Sequence, residues 1–369
     1  MNINICGQET RLIPMEAKKI LEQFTHPTLT KNLVELGAVK QCEQVNHHLL
    51  ISLEMPFAWQ MTFEELKQTV TPELLKLEGI DEVNWNIKYN IATLKRANSQ
   101  PAINNIKNII AVSSGKGGVG KSSTAVNLAL ALQKQGAKVG ILDADIYGPS
   151  IPMMLGTEKE QPLTPDNKHM NPITAYGLAS NSIGYLVESD GAMVWRGPMA
   201  SKALLQILQD TLWPELDYLV VDMPPGTGDI QLTLAQNIPV TAAVIVTTPQ
   251  DIALIDAKKG ITMFNKVNIP TIGIVENMSY HICEKCGHHE AIFGEGGAER
   301  LAKQYHTLLL GQIPLHSMLR QDLDVGKPTV ISHPDSEFAQ IYYQIAGRIA
   351  CELYWQGEAI LPDISFKSL

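Results

Sequence analysis

A glycine-rich segment at residues 115–122 carries the residue types that bind phosphate. It runs G-K-G-G-V-G-K-S and matches the pattern G-x-x-x-x-G-K-[ST]. An apolar run typical of a buried strand precedes it at residues 108–113, and apolar residues at helical spacing follow over residues 123–135. A strand, a glycine loop and a helix in this order form the context in which the pattern binds a nucleoside triphosphate. The segment therefore predicts a phosphate-binding loop, the P-loop.

Each part of this loop has a chemical task. The glycines let backbone N–H groups point at phosphate oxygens, and the helix N-terminus adds a favourable field. Lys121 neutralises the β- and γ-phosphates, and the Ser122 hydroxyl is a ligand for Mg²⁺. The residues expected to contact the nucleotide are Gly115, Gly117, Gly118, Val119, Gly120, Lys121, Ser122 and Ser123.

Apolar runs alternate with helical stretches from Asn108 onward. This alternation predicts an α/β fold with a mostly parallel, doubly wound sheet covered on both faces. Together with the P-loop motif it predicts the fold of a P-loop NTPase. In such sheets ligands bind at the carboxyl ends of the strands. The predicted strands span residues 108–113, 139–142, 216–221, 242–247 and 271–275.

Acidic residues end two of these strands. Asp143 and Asp145 follow the second strand, and Asp222 follows the third. Carboxylates in such positions can orient or deprotonate an attacking water, and Asp222 can hold Mg²⁺ together with the P-loop serine. Gly226, four residues after Asp222, can offer its N–H to the γ-phosphate. An aspartate at a strand end is often only a helix cap, and this interpretation stays open.

One C-x-x-C pair, Cys283 and Cys286, is compatible with zinc, an iron–sulfur cluster or redox chemistry. Two thiolates cannot complete a site that needs four ligands. His288 and His289 could join them within one chain and give a zinc site. Alternatively, a symmetric dimer could supply each cysteine twice and form a Cys₄ site on its two-fold axis. The residues alone leave both alternatives open.

A second lysine, Lys116, lies inside the P-loop, where Lys121 already serves the phosphates. The loop resembles the deviant Walker A motif of the ATPases that include nitrogenase iron protein, MinD, ParA and the arsenite-pump ATPase. The resemblance implies a homodimer in which Lys116 reaches the partner's phosphates like an arginine finger. It also favours Asp145 as the carboxylate that acts on water, and slow hydrolysis that needs the dimer to close. A solvated loop lysine is the alternative.

Further segments follow one another in the order found in Mrp/ApbC-type iron–sulfur cluster carriers, a family that the chain resembles over about residues 108–335. They are D-A-D-I-Y-G-P-S at 143–150, W-R-G-P at 195–198, D-M-P-P-G-T-G-D at 222–229, N-M-S at 277–279 with the C-x-x-C-G-H after it, and I-F-G-E-G-G at 292–297. The resemblance implies that Cys283 and Cys286 of two subunits hold a bridging [4Fe–4S] cluster. It implies apo iron–sulfur proteins and a cluster-assembly scaffold as partners. No role follows for Trp195 and Arg196.

The same resemblance places two residues at the base of the nucleotide. Asn277 and the loop that contains Pro314 are expected to contact adenine, and the expected cofactors are ATP and Mg²⁺ beside the cluster. Because Cys283 and Cys286 follow Asn277 by only a few residues, the nucleotide state could be felt at the thiolates through one short segment.

Composition limits the function classes. The 369 residues carry a net charge of −9, with 45% hydrophobic and 18% charged residues, which is typical of a soluble globular protein without a basic surface for nucleic acid. No apolar run approaches the roughly 20 residues that span a bilayer, and the N-terminus lacks a signal pattern. We expect a cytoplasmic protein with neither nucleic acid nor membrane as a partner.

Two other functions remain as alternatives to cluster carriage. A MinD- or ParA-like spatial switch uses the same nucleotide chemistry but needs a membrane or DNA surface, and a basic amphipathic C-terminal helix in the MinD case. This chain ends with a proline and few cations. A zinc-stabilised ATPase without a cluster is the second alternative.

The chain divides into two predicted domains. Residues 1–95 predict a small α/β domain, residues 96–107 a polar linker with one proline, and residues 108–369 the ATPase domain. Cys6 and Cys42, isolated in the first domain, are expected to be small apolar packing residues.

The first domain has three recognisable elements. A strand is predicted at residues 46–55, a helix opened by the capping box T-F-E-E at 62–65, and an alternating strand at 83–91. The order resembles the MIP18-like domain that precedes the ATPase in Mrp-type proteins. Where that module carries a cysteine, this chain has M-P-F-A-W at 55–59, so we expect no cluster-binding role there.

Overall fold

A computed structural model describes residues 13–186 and 197–360 of the chain. The described residues form two compact units, the first ending at Ala92 and the second beginning at Thr93. Cys6, Trp195 and Arg196, which the sequence singled out, lie outside the described residues.

The first unit is a three-stranded sheet with two helices. Its elements are α1 (Ile13–Gln23), β1 (Val39–Val45), β2 (His48–Met55), α2 (Gln60–Leu74) and β3 (Glu82–Tyr89). The sheet order is β1-β2-β3, with β1 antiparallel and β3 parallel to β2. Met55, Phe57 and Trp59 are fully buried, so the segment that replaces the cysteine of related modules is part of the hydrophobic core.

The predicted capping box in this unit is wrong. Helix α2 begins at Gln60, its N-cap is Trp59 without a side-chain cap, and Thr62 is buried inside the first turn. The Trp59 indole instead donates from Nε1 to Thr28 Oγ1 at 2.8 Å. Tertiary packing of the tryptophan therefore decides where the helix starts.

The second unit is built on an eight-stranded sheet. Its strands are β4 (Ile106–Ser113), β5 (Val139–Asp143), β6 (Ile173–Ala175), β7 (Leu178–Ser182), β8 (Leu216–Asp222), β9 (Ala242–Thr247), β10 (Thr271–Glu276) and β13 (Leu308–Gln312), with a separate two-stranded hairpin of β11 (His281–Ile282) and β12 (His289–Glu290). Its helices are α3 (Lys121–Lys134), α4 (Ile151–Leu155), α5 (Gly197–Asp210), α6 (Asp229–Asn237), α7 (Asp251–Lys266), α8 (Gly297–Gln304), α9 (Ser317–Asp324), α10 (Thr329–Ser332) and α11 (Glu337–Gln356), and a 3₁₀ turn spans Ile183–Tyr185.

The strand order of the large sheet is β13-β10-β9-β4-β8-β5-β7-β6, and only β6 is antiparallel to its neighbour. Every residue of β5, β8 and β9 is buried, because helices cover both faces. The predicted α/β fold with a mostly parallel sheet is confirmed. All five predicted strands are present, and their carboxyl ends lie at one edge of the sheet.

Residues 96–107, predicted as a linker, are bonded to the second unit. The Ala97 N–H donates to the Val240 carbonyl at 3.0 Å, and Asn98 Nδ2 donates to the Ile238 carbonyl at 2.8 Å. Strand β4 already begins at Ile106, two residues before the predicted start. Within residues 13–186 and 197–360, no helix is long and apolar enough to cross a membrane.

Candidate functional site

The P-loop connects β4 to α3 with backbone conformations that need glycine. Gly118 and Gly120 have φ values of +81° and +80°, in the left-handed region that glycine adopts without strain. A Cβ on Gly115 would lie 2.0 Å from the backbone carbon of Asp256 in α7, so the loop packs directly on that helix. The glycines are thus required by local conformation and by close packing.

A buried cluster lies where α3 begins. Lys121 Nζ donates to Asp222 Oδ1 at 2.5 Å, and Ser122 Oγ donates to Asp222 Oδ2 at 2.5 Å. Lys121 is 6% exposed and Asp222 fully buried, so the ion pair is shielded from water. The structure brings together the three side chains that the motif assigned to phosphate and Mg²⁺.

The oxygen atoms of this cluster fit Mg²⁺. A hydroxyl and a carboxylate side by side are the hard donors that Mg²⁺ takes from a protein, which supplies only one or two ligands beside phosphate and water. In the described part of the chain no group of three or more His, Cys, Asp or Glu side chains could hold a metal ion. The pair Ser122 and Asp222 therefore suits a metal completed by a nucleotide rather than an all-protein site.

Asp143 organises the loop after β5. Its Oδ1 accepts the Asp145 N–H at 3.1 Å, and its Oδ2 accepts the N–H groups of Ser150 and Ile151 and the hydroxyl of Ser182 at 3.0–3.2 Å. The carboxylate is completely buried, and burial together with the charge of nearby Asp222 raises its pKa to about 7. Because Asp143 accepts four hydrogen bonds and is fully buried, it stabilises the conformation of the loop and does not reach solvent.

Asp145 differs from Asp143 in its access to solvent. It is only partly buried. Burial raises the pKa of its carboxyl, while the charge of Lys121 opposes this shift. Of the two acids predicted to act on water, Asp145 is therefore the more accessible to solvent.

Gly226 and Lys116 differ in whether the group predicted to contact phosphate is already bonded within the chain. Gly226, at φ +98°, donates its N–H to the Ser114 carbonyl at 2.9 Å, so the group predicted for the γ-phosphate bonds the start of the P-loop. The Lys116 carbonyl accepts the Ser114 hydroxyl at 2.8 Å. The Lys116 side chain is partly exposed and forms no ion pair within residues 13–186 and 197–360.

Asn277 lies against the P-loop. Its Nδ2 donates to the Val119 carbonyl at 2.9 Å, and a Cβ on Gly120 would come within 2.1 Å of the same atom. Pro314 is buried in the segment after β13, where the Leu315 N–H bonds the Tyr280 carbonyl at 2.7 Å. The two residues expected at the base thus lie on neighbouring segments, and Asn277 touches the phosphate-binding loop.

The cysteines occupy the exposed tip of the β11–β12 hairpin. The Cys283 N–H donates to the His288 carbonyl at 2.9 Å, and the Gly287 N–H donates back to the Cys283 carbonyl at 2.8 Å. Cys283 is partly exposed and Cys286 exposed. Backbone N–H groups of Lys285 and Cys286, with the Cys286 thiol, lower the pKa of Cys283 and so favour its thiolate.

The zinc alternative within one chain is not assembled. His289 stacks on Tyr280, with ring centroids 4.9 Å apart, and among the described residues no third metal ligand joins the two cysteines. Each chain therefore presents two thiols and needs further ligands from elsewhere to complete a four-ligand site.

Sequence reasoning missed Glu276, the last residue of β10. It is 1% exposed, and its carboxylate accepts hydrogen bonds from Ser279, Gln312 and Ala298. An acid that ends an apolar strand was the signal used for Asp222. Glu276 directly follows the predicted strand at residues 271–275 in the same way, but no nucleotide-binding motif drew attention to it.

Comparisons with known proteins show the family to which the chain is similar. Residues 105–350 match the ParA family model, described as NUBPL iron-transfer P-loop NTPase. The chain is 67% identical over 349 residues to the iron–sulfur cluster carrier protein of Escherichia coli K12, covering 95% of each chain. It is 51% identical over 256 residues to the iron–sulfur cluster transfer protein NUBPL of Mus musculus, covering 69% of this chain and 80% of that one. A solved nucleotide-binding protein in complex with ADP from Archaeoglobus fulgidus matches with 38% identity and a TM-score of 0.57, covering 64% of this chain and 93% of that one.

Proposed function

The chain belongs to the ParA family of iron-transfer P-loop NTPases, and we propose that it is an ATP-hydrolysing carrier of [4Fe–4S] clusters. The cluster is its cargo, held between two copies of the chain and handed to apo iron–sulfur proteins. The observation that carries this proposal is one pair of exposed thiols, Cys283 and Cys286, in a chain with a well-formed nucleotide site.

The nucleotide half of the proposal rests on the buried cluster at the start of α3. Lys121 exchanges part of its interaction with Asp222 for the β- and γ-phosphates, which its charge neutralises. Ser122 and Asp222 would hold Mg²⁺, which when bound neutralises further phosphate charge. Asp145 orients the attacking water and accepts its proton, while Asp143 holds the loop that carries Asp145.

A homodimer is the second part of the proposal. The Lys116 side chain is partly exposed and has no ion pair within the described part of the chain, so it is available to a second chain, where its charge would stabilise the phosphates in the transition state of hydrolysis. This arrangement makes hydrolysis slow in a single chain and dependent on closure of the dimer. Asn277 and the segment of Pro314 would hold the adenine beside the P-loop.

The cargo half rests on the hairpin. Two chains related by a two-fold axis would supply Cys283 and Cys286 twice, which gives the four thiolates that a [4Fe–4S] cluster requires. Because Cys286 is exposed and Cys283 partly exposed, a scaffold can load the cluster and an apo-protein can remove it. We place the carrier in the cytoplasm, where reducing conditions keep such thiols free.

The test is transfer of a cluster to a client. The full chain is reconstituted anaerobically with iron and sulfide, separated from free reagents, and mixed with the inactive apo form of a [4Fe–4S] enzyme. The carrier should recover enzyme activity in proportion to the cluster added, and the Cys283→Ser, Cys286→Ser double variant should recover none. Absence of cluster absorbance in the reconstituted wild type, or an equal recovery with the double variant, would refute the carrier function.

A further inference from the structure

Glu276 is a buried carboxylate that no cation neutralises within the described part of the chain. Its Oε1 accepts the Ser279 hydroxyl at 2.6 Å and Gln312 Nε2 at 2.8 Å, and its Oε2 accepts the Ala298 N–H at 3.0 Å. A charge buried in this way is costly unless every donor stays in place. Ala298 lies in the first turn of α8, whose positive N-terminal end further stabilises the carboxylate.

Glu276 is hydrogen-bonded to both ends of the loop that carries the cysteines. The cysteine loop, residues 279–298, begins with Ser279 and ends with Ala298, and both residues bond the same carboxylate. Gln312 Nε2 also donates to Ser279 Oγ at 2.9 Å, so the fixed end of the loop is tied to β13 as well. A displacement of Glu276 would therefore move both ends of the cysteine loop together.

The residue after Glu276 touches the P-loop. Asn277 donates from Nδ2 to the Val119 carbonyl at 2.9 Å, and its backbone N–H bonds the Thr247 carbonyl at the end of β9 at 2.8 Å. Two adjacent residues at the end of β10 thus face opposite ways, one to the phosphate-binding loop and one to the base of the cysteine loop. The contact with the P-loop and the contacts with the cysteine loop are thus made by two consecutive residues of the chain.

We propose that Glu276 is the positioning residue through which a nucleotide bound at the P-loop changes the accessibility of Cys283 and Cys286. The carboxylate network with Ser279, Gln312 and Ala298 moves as a unit because breaking one of its bonds leaves a buried charge less satisfied. This inference deepens the proposed carrier function, since it makes the nucleotide state the signal for holding or releasing cargo. The coupling itself is a property of the chain without a cluster.

The test measures alkylation of the cluster-free full chain. Iodoacetamide rates at Cys283 and Cys286 are followed by mass spectrometry with MgADP, with Mg²⁺ and the non-hydrolysable analogue AMPPNP, and without nucleotide. In the wild type the rates should differ between nucleotide states by about fivefold or more, within the usual range of allosteric coupling. In Glu276→Gln, which keeps the size but cannot accept all three bonds, the ratio between states should fall to roughly one.

The ratio of alkylation rates between nucleotide states distinguishes a positioning role of Glu276 from a merely structural one. A merely structural role would raise the rates in all nucleotide states by the same factor and leave their ratio unchanged. Glu290→Gln, the same chemical change on an exposed side chain of the same loop, is the control and should keep the wild-type ratio. A wild-type ratio of one, or a wild-type ratio retained in Glu276→Gln, would overturn the proposal.

A second variant and a separate measurement of cluster binding complete the test. If Glu276→Gln fails to bind MgADP because it does not fold, Gln312→Leu, which removes one donor and leaves the carboxylate, is judged by the same ratio. Reconstitution of the same preparations with iron and sulfide shows separately whether a cluster is bound. Failure of the wild type to bind a cluster would refute the carrier function. The alkylation ratios of the wild type and the variant test only the role of Glu276.

Discussion

The nucleotide end of the sheet and the cysteine loop differ in how much of a site one chain completes. At the nucleotide end Lys121, Asp143 and Asp222 are all buried and bonded to one another or to the loops around them. In the cysteine loop, two strands of two residues each support an exposed tip with two thiols. One region is preorganised by contacts within a chain, while the other presents two thiols without a third metal ligand among the described residues.

The difference corresponds to what each region has to do. Phosphate hydrolysis depends on charges fixed in a low-dielectric environment before the reaction begins. A cargo site must instead be filled and emptied. The thiols that hold the cargo must therefore be reachable from solvent. The two regions nevertheless meet at the end of β10, where Asn277 contacts the P-loop and Glu276 holds the cysteine loop.

The largest expected effect is the loss of ATP turnover when either lysine of the P-loop is replaced, and MgADP binding should distinguish the two variants. Lys121→Ala removes a preorganised cation, so ATP turnover should fall by roughly 10²- to 10³-fold and MgADP binding should weaken. Lys116→Ala should lower turnover by about 10³-fold, as for a residue that acts like an arginine finger, while binding to a single chain survives. Turnover is measured by phosphate release and binding by calorimetry.

Lys159→Ala, which removes an exposed lysine outside the P-loop, should leave both quantities unchanged. An equal loss of MgADP affinity in the two P-loop variants would show that Lys116 serves its own chain. The homodimeric arrangement of the nucleotide site would then lose its support.

Thiol reactivity should distinguish the cysteine loop from the protein core. Burial raises the pKa of Cys351 to about 12, whereas hydrogen bonds lower the pKa of Cys283. At pH 8 only roughly one Cys351 in 10⁴ is a thiolate, so iodoacetamide should label Cys283 at least about 100-fold faster in the folded chain. Labelling of Cys283 should level off at a lower pH than a free thiol, while that of Cys351 keeps rising tenfold per pH unit.

Labelling in denaturant provides the control, because all cysteines should then react at similar rates. Rapid labelling of Cys351 in the folded chain would mean that α11 opens readily. The contrast between a closed core and an open cysteine loop would not hold in that case.

The smallest effect is expected at the two histidines of the hairpin. The double variant His288→Ala, His289→Ala should keep its cluster within about twofold, since four thiolates already complete the cluster's ligands. Iron content after reconstitution is the measurement, with Cys283→Ala as the control that loses it. Loss of bound metal in the histidine variant would support the zinc site instead.

Local signals explain what the sequence predicted well. The strand at Ala242–Thr247 agrees with prediction at both ends because it is a continuous apolar run. The P-loop is specified by glycine spacing, and Lys121, Ser122 and Asp222 meet as its motif requires. In each case the information lies within a few residues or in a motif whose chemistry is fixed.

Elements held by distant polar partners were not predictable in this way. Strand β7 has the sequence L-A-S-N-S and no apolar run, yet it is buried because its Ser182 bonds Asp143 and its Asn181 bonds Thr211. Glu276 bonds Gln312, a residue 36 positions later in the chain. Such partners come together only in the folded structure, so neither hydrophobic spacing nor a short motif reveals them.

The most direct test of the central claim is the iron content of the reconstituted full chain, measured together with its mass in solution. A cluster shared by Cys283 and Cys286 of two chains predicts about four irons and four sulfides per dimer. Cys283→Ala should lose the iron while keeping MgADP binding. About four irons in a single chain, or one zinc per chain that disappears when His288 and His289 are replaced, would contradict a cluster carried between two copies.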